Sequence, residues 1–121
     1  MYTRPRKLDY RWVVDSRAER IGKNEALFRE VNERVREITG GFGELPDAEF
    51  VCECGDVECA ERIRVVLGEY EDVRKSPTYF LVKPGHEIPD VETVIETHDT
   101  FVVVAKRTEA ADIAVETDPR R

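Results

Sequence analysis

The sequence predicts an α+β fold in which a long N-terminal helix packs on a small, mostly antiparallel sheet with short helices and a zinc-stabilised turn. Three observations carry this prediction. Apolar residues recur at helical spacing between residues 15 and 38, and several later segments alternate between apolar and polar residues. Three cysteines lie within eight residues. A chain of 121 residues is long enough to bury a single core without disulfides.

The first helix is predicted from Asp15 to Ile38. Asp15 or Ser16 can cap its start, and Gly40 follows its end. We expect its apolar stripe to cover the sheet, and the opposite, charged face (Glu25, Arg29, Asn32, Glu33 and Arg36) to be solvated. Alternatively, the stripe forms a two-chain coil from Val14 to Ile38; because it spans fewer than four heptads, we favour a monomer over a dimer. The members of the stripe are Ile21, Leu27, Phe28, Val31, Val35 and Ile38.

The remaining elements follow from alternation and from turn residues. Strands are predicted at 48–54, 61–67, 78–82, 91–97 and 100–106, with the last two joined as a hairpin at His98-Asp99. Short helices are predicted at 68–75 and 108–115. We therefore divide the chain into a basic flexible arm at 1–14, a single zinc-binding α+β domain at 15–118, and a tail at 119–121.

Charge is distributed unevenly along the chain. The net charge is −7, yet residues 1–23 hold seven of the 19 Lys and Arg and three of the 26 Asp and Glu. Together with Tyr2, Tyr10 and Trp12, this basic segment could contact nucleic acid, although the acidic body favours a solvated arm. No apolar run reaches the length of a membrane span and no signal peptide is visible, so we expect a cytoplasmic protein without membrane contact.

The cysteines Cys52, Cys54 and Cys59 have the spacing C-x-C-x4-C. This spacing resembles the zinc knuckle that follows SET methyltransferase domains, although nothing else in the chain resembles such a domain. In a reducing compartment a tight cysteine cluster is more typical of metal binding than of disulfides. A strained disulfide, buried free thiols and an iron–sulfur cluster are the rival interpretations.

A fourth ligand would complete a tetrahedral Zn²⁺ site. His86 follows Lys83-Pro84-Gly85 in a predicted tight turn, which can direct an imidazole towards the cysteine turn, and we favour it. His98 at the predicted hairpin tip is the alternative. Neither H-E-x-x-H nor the zinc-deaminase pattern occurs, although Glu53 and Glu87 are close to the ligands in sequence. We therefore expect a structural site, with catalysis by a metal near His86 as the alternative.

Several segments together resemble a family of short bacterial proteins of uncharacterised activity. They are NEALFREVNERVREI at Asn24–Ile38, FVCECGDVECAERI at Phe50–Ile63, EYEDVR at Glu69–Arg74, the Pro-Gly-His turn, and the closing strand Phe101–Lys106. The similarity covers roughly residues 18–118. It implies that the first helix and the cysteine segment belong to one fold unit, and it implies no reaction.

The features above favour a small, zinc-stabilised, non-enzymatic module that binds a protein partner in a regulatory or adaptor role. A small zinc-dependent hydrolase or transferase and a nucleic-acid-binding regulator that uses the basic arm are the two alternatives. No glycine-rich phosphate loop and no Ser/His/Asp signature is present in the sequence. We therefore predict no catalytic residue.

Overall fold

A computed structural model describes residues 10–41 and 47–120. It begins with helix α1 (Tyr10–Gly41). Strands β1 (Asp47–Val51) and β2 (Arg62–Val66) follow, then helix α2 (Leu67–Arg74) and strand β3 (Tyr79–Val82). Strands β4 (Glu92–Thr97) and β5 (Val102–Lys106) precede helix α3 (Thr108–Glu116). The order and type of these elements confirm the predicted α+β fold.

Helix α1 begins at Tyr10, five residues before the predicted start at Asp15. Residues 10–14, which we had assigned to the basic arm, are therefore helical, whereas residues 1–9 lie outside the described part of the chain. At the other end of the chain, Arg120 forms ion pairs with Glu33 and Glu71. This end of the chain therefore contacts both α1 and α2. None of the described helices is long and apolar enough to cross a membrane.

The strands form two antiparallel sheets. β1 pairs with β2, with Phe50 opposite Ile63. The second sheet has the order β3-β5-β4, and β4 and β5 form the predicted hairpin. Backbone hydrogen bonding connects the two sheets where the cysteine segment passes β3, because the Glu53 amide donates to the Leu81 carbonyl at 2.9 Å. The cysteine segment is thus the junction between the sheets.

The apolar core lies at this junction. Phe50 of β1 stacks on Tyr70 of α2 with ring centroids 4.2 Å apart, and both residues are 0% exposed. β3 and β5 contribute a second group of buried apolar residues: Phe80, Leu81, Val82, Val102, Val103 and Val104. Cys52 and Cys54 belong to the same buried cluster. The cysteine turn is therefore part of the core.

The face of α1 that packs on the domain overlaps the predicted stripe only in part, at the half-buried Ile21, Phe28 and Val35. Leu27, Val31 and Ile38 are 54%, 38% and 63% exposed, although Val35 does pack against the core. Within residues 20–40 of this helix, where burial is described, the buried residues are Gly22, Glu25, Arg29, Asn32 and Thr39. The expectation of a solvated charged face is wrong for Glu25, Arg29 and Asn32. These side chains are buried because their hydrogen-bonding groups find partners on other elements.

Candidate metal centre

The cysteine loop starts directly after β1 and is held in a compact shape by its own backbone. The Cys52 amide donates to the Glu61 carbonyl at 3.1 Å, which closes the loop. Within it the Cys59 amide donates to the Asp56 carbonyl at 2.9 Å. Gly55 has φ +83°, in the left-handed region that glycine adopts without strain. These turns return Cys59 to Cys52 and Cys54.

Gly55 also brings the loop against α1. A Cβ atom at this position would lie 2.9 Å from Cγ of Glu25 and 3.0 Å from Cγ2 of Ile21. The Gly55 carbonyl accepts a hydrogen bond from Nδ2 of Asn24 at 3.0 Å. A larger residue at position 55 would thus suffer both backbone strain and a clash with the helix.

The histidine comes from the turn that follows β3. Gly85 has φ +93°, and the His86 amide donates to the Lys83 carbonyl at 2.9 Å. The turn places Nδ1 of His86 at 3.6 Å from Sγ of both Cys52 and Cys59. The predicted Pro-Gly-His turn therefore brings the imidazole to the cysteines.

The four predicted ligand residues form one cluster. One ligand atom from each of Cys52, Cys54, Cys59 and His86 lies within 4.8 Å of the other three, and the group could hold a metal ion. Around a tetrahedral zinc ion, the usual bond lengths imply distances of about 3.6 Å between sulfur and nitrogen and about 3.8 Å between sulfurs. The two sulfur–nitrogen distances of 3.6 Å match this expectation.

Each sulfur atom also interacts with a backbone amide. The Lys83 amide donates to Sγ of Cys52 at 3.2 Å. The backbone of Asp56 and that of Glu61 hydrogen-bond the thiols of Cys54 and Cys59, which favours their ionised forms. Amide donors of this kind stabilise negative charge on sulfur and orient metal ligands.

The thiols affect one another strongly. Hydrogen bonding from Cys52 lowers the pKa of Cys54 to about 5, and the same hydrogen bond, followed by burial, raises the pKa of Cys52. Burial is the main cause of the raised pKa of Cys59. One thiolate is therefore favoured in this cluster, and ionisation of all three requires a cation among them.

His98, the alternative fourth ligand, lies elsewhere. Its ring stacks on Phe101 with centroids 4.3 Å apart, and its Nε2 lies 2.8 Å from Oε1 of Glu96. Its Nδ1 lies 3.6 Å from Oε2 of Glu69. The structure thus brings His86, and not His98, to the cysteines.

Glu53, between two of the cysteines, has a role that the sequence did not suggest. Its side chain is 0% exposed and accepts hydrogen bonds from Arg74, Asn32 and the Leu81 amide. The two Arg74 contacts are 2.7 and 3.2 Å long. Because side chains alternate in an extended segment, the cysteines face one way and Glu53 the other. Glu53 therefore anchors the ligand segment to α1, α2 and β3.

Glu53 and Arg74 belong to a larger set of buried charges. Among the described residues, the buried charged side chains are three acidic and three basic ones: Glu25, Glu53, Glu92, Arg29, Arg74 and Lys106. The sequence did indicate that the two members of this set on α1, Glu25 and Arg29, lie together, since residues 22, 25, 29, 32 and 36 share one helical face. Polarity alone, however, led to the prediction that this face is solvated.

The chain was also compared with known proteins. Scans of protein-family models, of curated proteins and of solved structures found no match to it. The resemblance to short bacterial proteins stays a prediction, and the functional argument depends on the geometry of the Cys52, Cys54, Cys59 and His86 cluster.

Proposed function

We propose that this protein is a small, zinc-stabilised, non-enzymatic module that binds a protein partner. The observation that carries the zinc assignment is the convergence of three sulfur atoms and one imidazole nitrogen within 4.8 Å. Three thiolates and one imidazole are a ligand set that favours Zn²⁺. A bound zinc ion would crosslink the cysteine loop to the turn after β3, and so would stabilise the junction between the two sheets.

A structural role for the metal has two further supports. Four protein ligands complete a tetrahedron, whereas catalytic zinc sites keep one position for water or substrate. The carboxylate of Glu53 is engaged by Arg74 and Asn32 and is not available as a general base. The engagement of Glu53 thus supports the structural module over a hydrolase or transferase that would use Glu53 as its general base.

Partner binding is supported by the exposed side of α1. Leu27, Val31 and Ile38 lie at helical spacing on one exposed stripe. Exposed charges of both signs, Glu30 and Arg34, lie beside it. An apolar stripe with flanking charges is typical of helix pairing, so we propose an amphipathic helix of another protein as the occupant.

Elemental analysis of the purified chain tests the zinc assignment. We expect about one zinc ion per chain, and a chelator should lower the unfolding temperature. His86→Asn should lose the metal, whereas His98→Asn, a matched substitution outside the cluster, should keep it. Metal-free protein whose stability is indifferent to chelator would contradict the assignment, as would equal zinc content in the two variants.

Quantitative affinity capture tests the partner surface. The variant Leu27→Ser/Ile38→Ser removes the two most exposed side chains of the stripe, and Val57→Ser/Val115→Ser introduces serine at two exposed valines elsewhere. We expect to find a protein that both the wild type and the valine variant capture and that the stripe variant does not capture. Once purified, this protein should again bind the wild type. Failure to find any protein with this dependence would contradict the proposed surface.

A further inference from the structure

A cavity of about 190 Å³ lies between α1 and α3, and none of the four clustered residues Cys52, Cys54, Cys59 and His86 lines it. Its walls are mainly apolar and include Ile21 of α1, Ala110 and Ile113 of α3, and Val91. An apolar cavity of about 150 Å³ can accommodate benzene. This space therefore suits a ligand with a body about the size of one aromatic ring.

Two of the residues that line the cavity are charged and buried, namely Glu25 and Lys106. The ammonium of Lys106 donates to Oε2 of Glu25 and, at 2.6 Å, to Oε1 of Glu92. Glu109 also lines the cavity. Two carboxylates thus contact one ammonium group, and the exposed Glu109 adds a third acidic residue to the lining, so carboxylates outnumber ammonium groups here.

Arg29 is a further cation on α1, but its guanidinium is hydrogen-bonded to other groups. Its guanidinium donates to the carbonyls of Pro77 and Ala114 and to the Thr117 hydroxyl. Burial raises the pKa of Glu25 to about 7, although Lys106 and Arg29 act in the opposite direction. The cluster would therefore be stabilised by a second positive charge near Glu25.

The mouth of the cavity carries backbone strain. Thr108, which lines the cavity at the start of α3, has φ +49°. A non-glycine residue in this region is uncommon, and such strain is concentrated at ligand-binding and other functional positions. The strained backbone of Thr108 is therefore a second feature of this cavity, in addition to its clustered carboxylates.

We propose that the cavity between α1 and α3 binds a small primary amine with an apolar body about the size of a benzene ring, whose ammonium pairs with Glu25 beside Lys106. A carboxylate ligand would be repelled by Glu25 and Glu109. A neutral ligand would occupy the apolar walls and leave the excess negative charge uncompensated. The combination of apolar walls and clustered carboxylates is what selects an amine.

Amide NMR titrations of the full-length chain test this proposal with three probes of similar shape: benzylamine, benzyl alcohol and benzoate. Benzylamine should shift the amide signals of Gly22, Ala110 and Ile113, and should bind at least about tenfold more tightly than the other two. Equal affinities for the three probes, or shifts confined to other parts of the protein, would overturn the proposal. So would the absence of any shift at about 10 mM benzylamine.

Two variants test separately the contribution of the Glu25 charge and that of the cavity volume. Glu25→Gln should weaken benzylamine binding by about tenfold or more, whereas Asp112→Asn, on the exposed side of α3, should leave it unchanged. Ala110→Leu should block binding by filling the cavity while the charge cluster stays intact, which keeps the test decisive if Glu25→Gln does not fold. Undiminished binding to Ala110→Leu would place the amine elsewhere and overturn the proposal.

Discussion

The side-chain amide of Asn32 pairs with both backbone groups of Val51. Nδ2 donates to the Val51 carbonyl at 2.9 Å, and the Val51 amide donates to Oδ1 at 2.8 Å. The asparagine thus provides β1 with the hydrogen bonds that a neighbouring strand would supply. Because Val51 directly precedes Cys52, this contact lets helix α1 position the cysteine segment.

Asn32→Asp should destabilise the fold strongly. The change removes the Nδ2 donor from the Val51 carbonyl and from Glu53, to which it donates at 2.7 Å, and it places a second carboxylate beside Glu53. We expect a loss of about 3 kcal/mol or more in the free energy of unfolding, measured by urea denaturation. Asn24→Asp is the matched control, and it should cost about 1 kcal/mol because Nδ2 of half-buried Asn24 donates to Gly55. Equal losses would show that the Asn32 contacts contribute little.

The buried Glu53–Arg74 pair gives a second prediction. Both side chains are at most 1% exposed, so Arg74→Met leaves an uncompensated buried carboxylate and should cost about 3–5 kcal/mol. Adding Glu53→Gln should recover part of this loss, because the unpaired charge is removed. Arg74→Met should also release zinc more readily, since Glu53 anchors the segment between Cys52 and Cys54.

Lys75→Met is the control for that pair, because the Lys75–Asp72 contact is exposed at 74% and 75%. Its effect on unfolding should stay within about 0.5 kcal/mol. Urea denaturation measures all three variants. If Arg74→Met lowers the free energy of unfolding by as little as Lys75→Met does, the result would contradict the anchoring role of Glu53 and Arg74.

Two glycines of α1 should respond oppositely to the same substitution. A Cβ at Gly22 would lie 2.7 Å from Cγ2 of Ile113, so Gly22→Ala should push α3 away and cost about 1–3 kcal/mol. Nothing lies within 4 Å of a Cβ at Gly40, where alanine should stabilise the helix by up to about 1 kcal/mol. Thermal unfolding measures both effects. Ile113→Ala should relieve the Gly22→Ala defect, and a lack of relief would exclude this clash as its cause.

Glu25 should make stability depend on pH. Its pKa is about 7 in the fold, against 4.5 for an ordinary glutamate carboxyl, so between these values the folded state binds more protons than the unfolded state. The contribution of Glu25 is then fully present below about pH 4.5 and is lost as the pH rises through about 7. The loss is on the order of 3 kcal/mol.

The comparison with Glu25→Gln isolates this group from all other titrations. We expect the stability of the glutamine variant, relative to wild type, to increase between pH 5 and pH 8, with the steepest change between the two pKa values of 4.5 and about 7. Urea denaturation across this range measures the difference. If the difference in stability between the two proteins does not change with pH, then burial does not raise the pKa of Glu25.

Local patterns were sufficient for the order of the elements and for the cysteine cluster. Alternation and turn residues predicted each of the strands, and the hairpin of β4 and β5 pairs as expected. The cysteine spacing predicted the group that the structure brings together, since three of its members lie within one loop. These features depend on neighbours in sequence, which is why the sequence reveals them.

The orientation of α1 was not predictable in this way. Phe28 was expected at the centre of a buried stripe, yet it is half-buried, while Arg29 is 0% exposed. Arg29 bonds to Pro77 and Ala114, which are 48 and 85 residues away in sequence. Such partners become visible only when the chain is folded.

The sequence by itself therefore determined the α+β class, the order of the elements and the cysteine cluster. The tertiary structure decided that His86 rather than His98 joins the cysteines, and that the polar face of α1 is buried. The physical reason is that burying a charged or polar side chain is costly unless it is paired. The partners of Glu25 and Asn32 come from distant segments, so only the assembled fold shows that this condition is met.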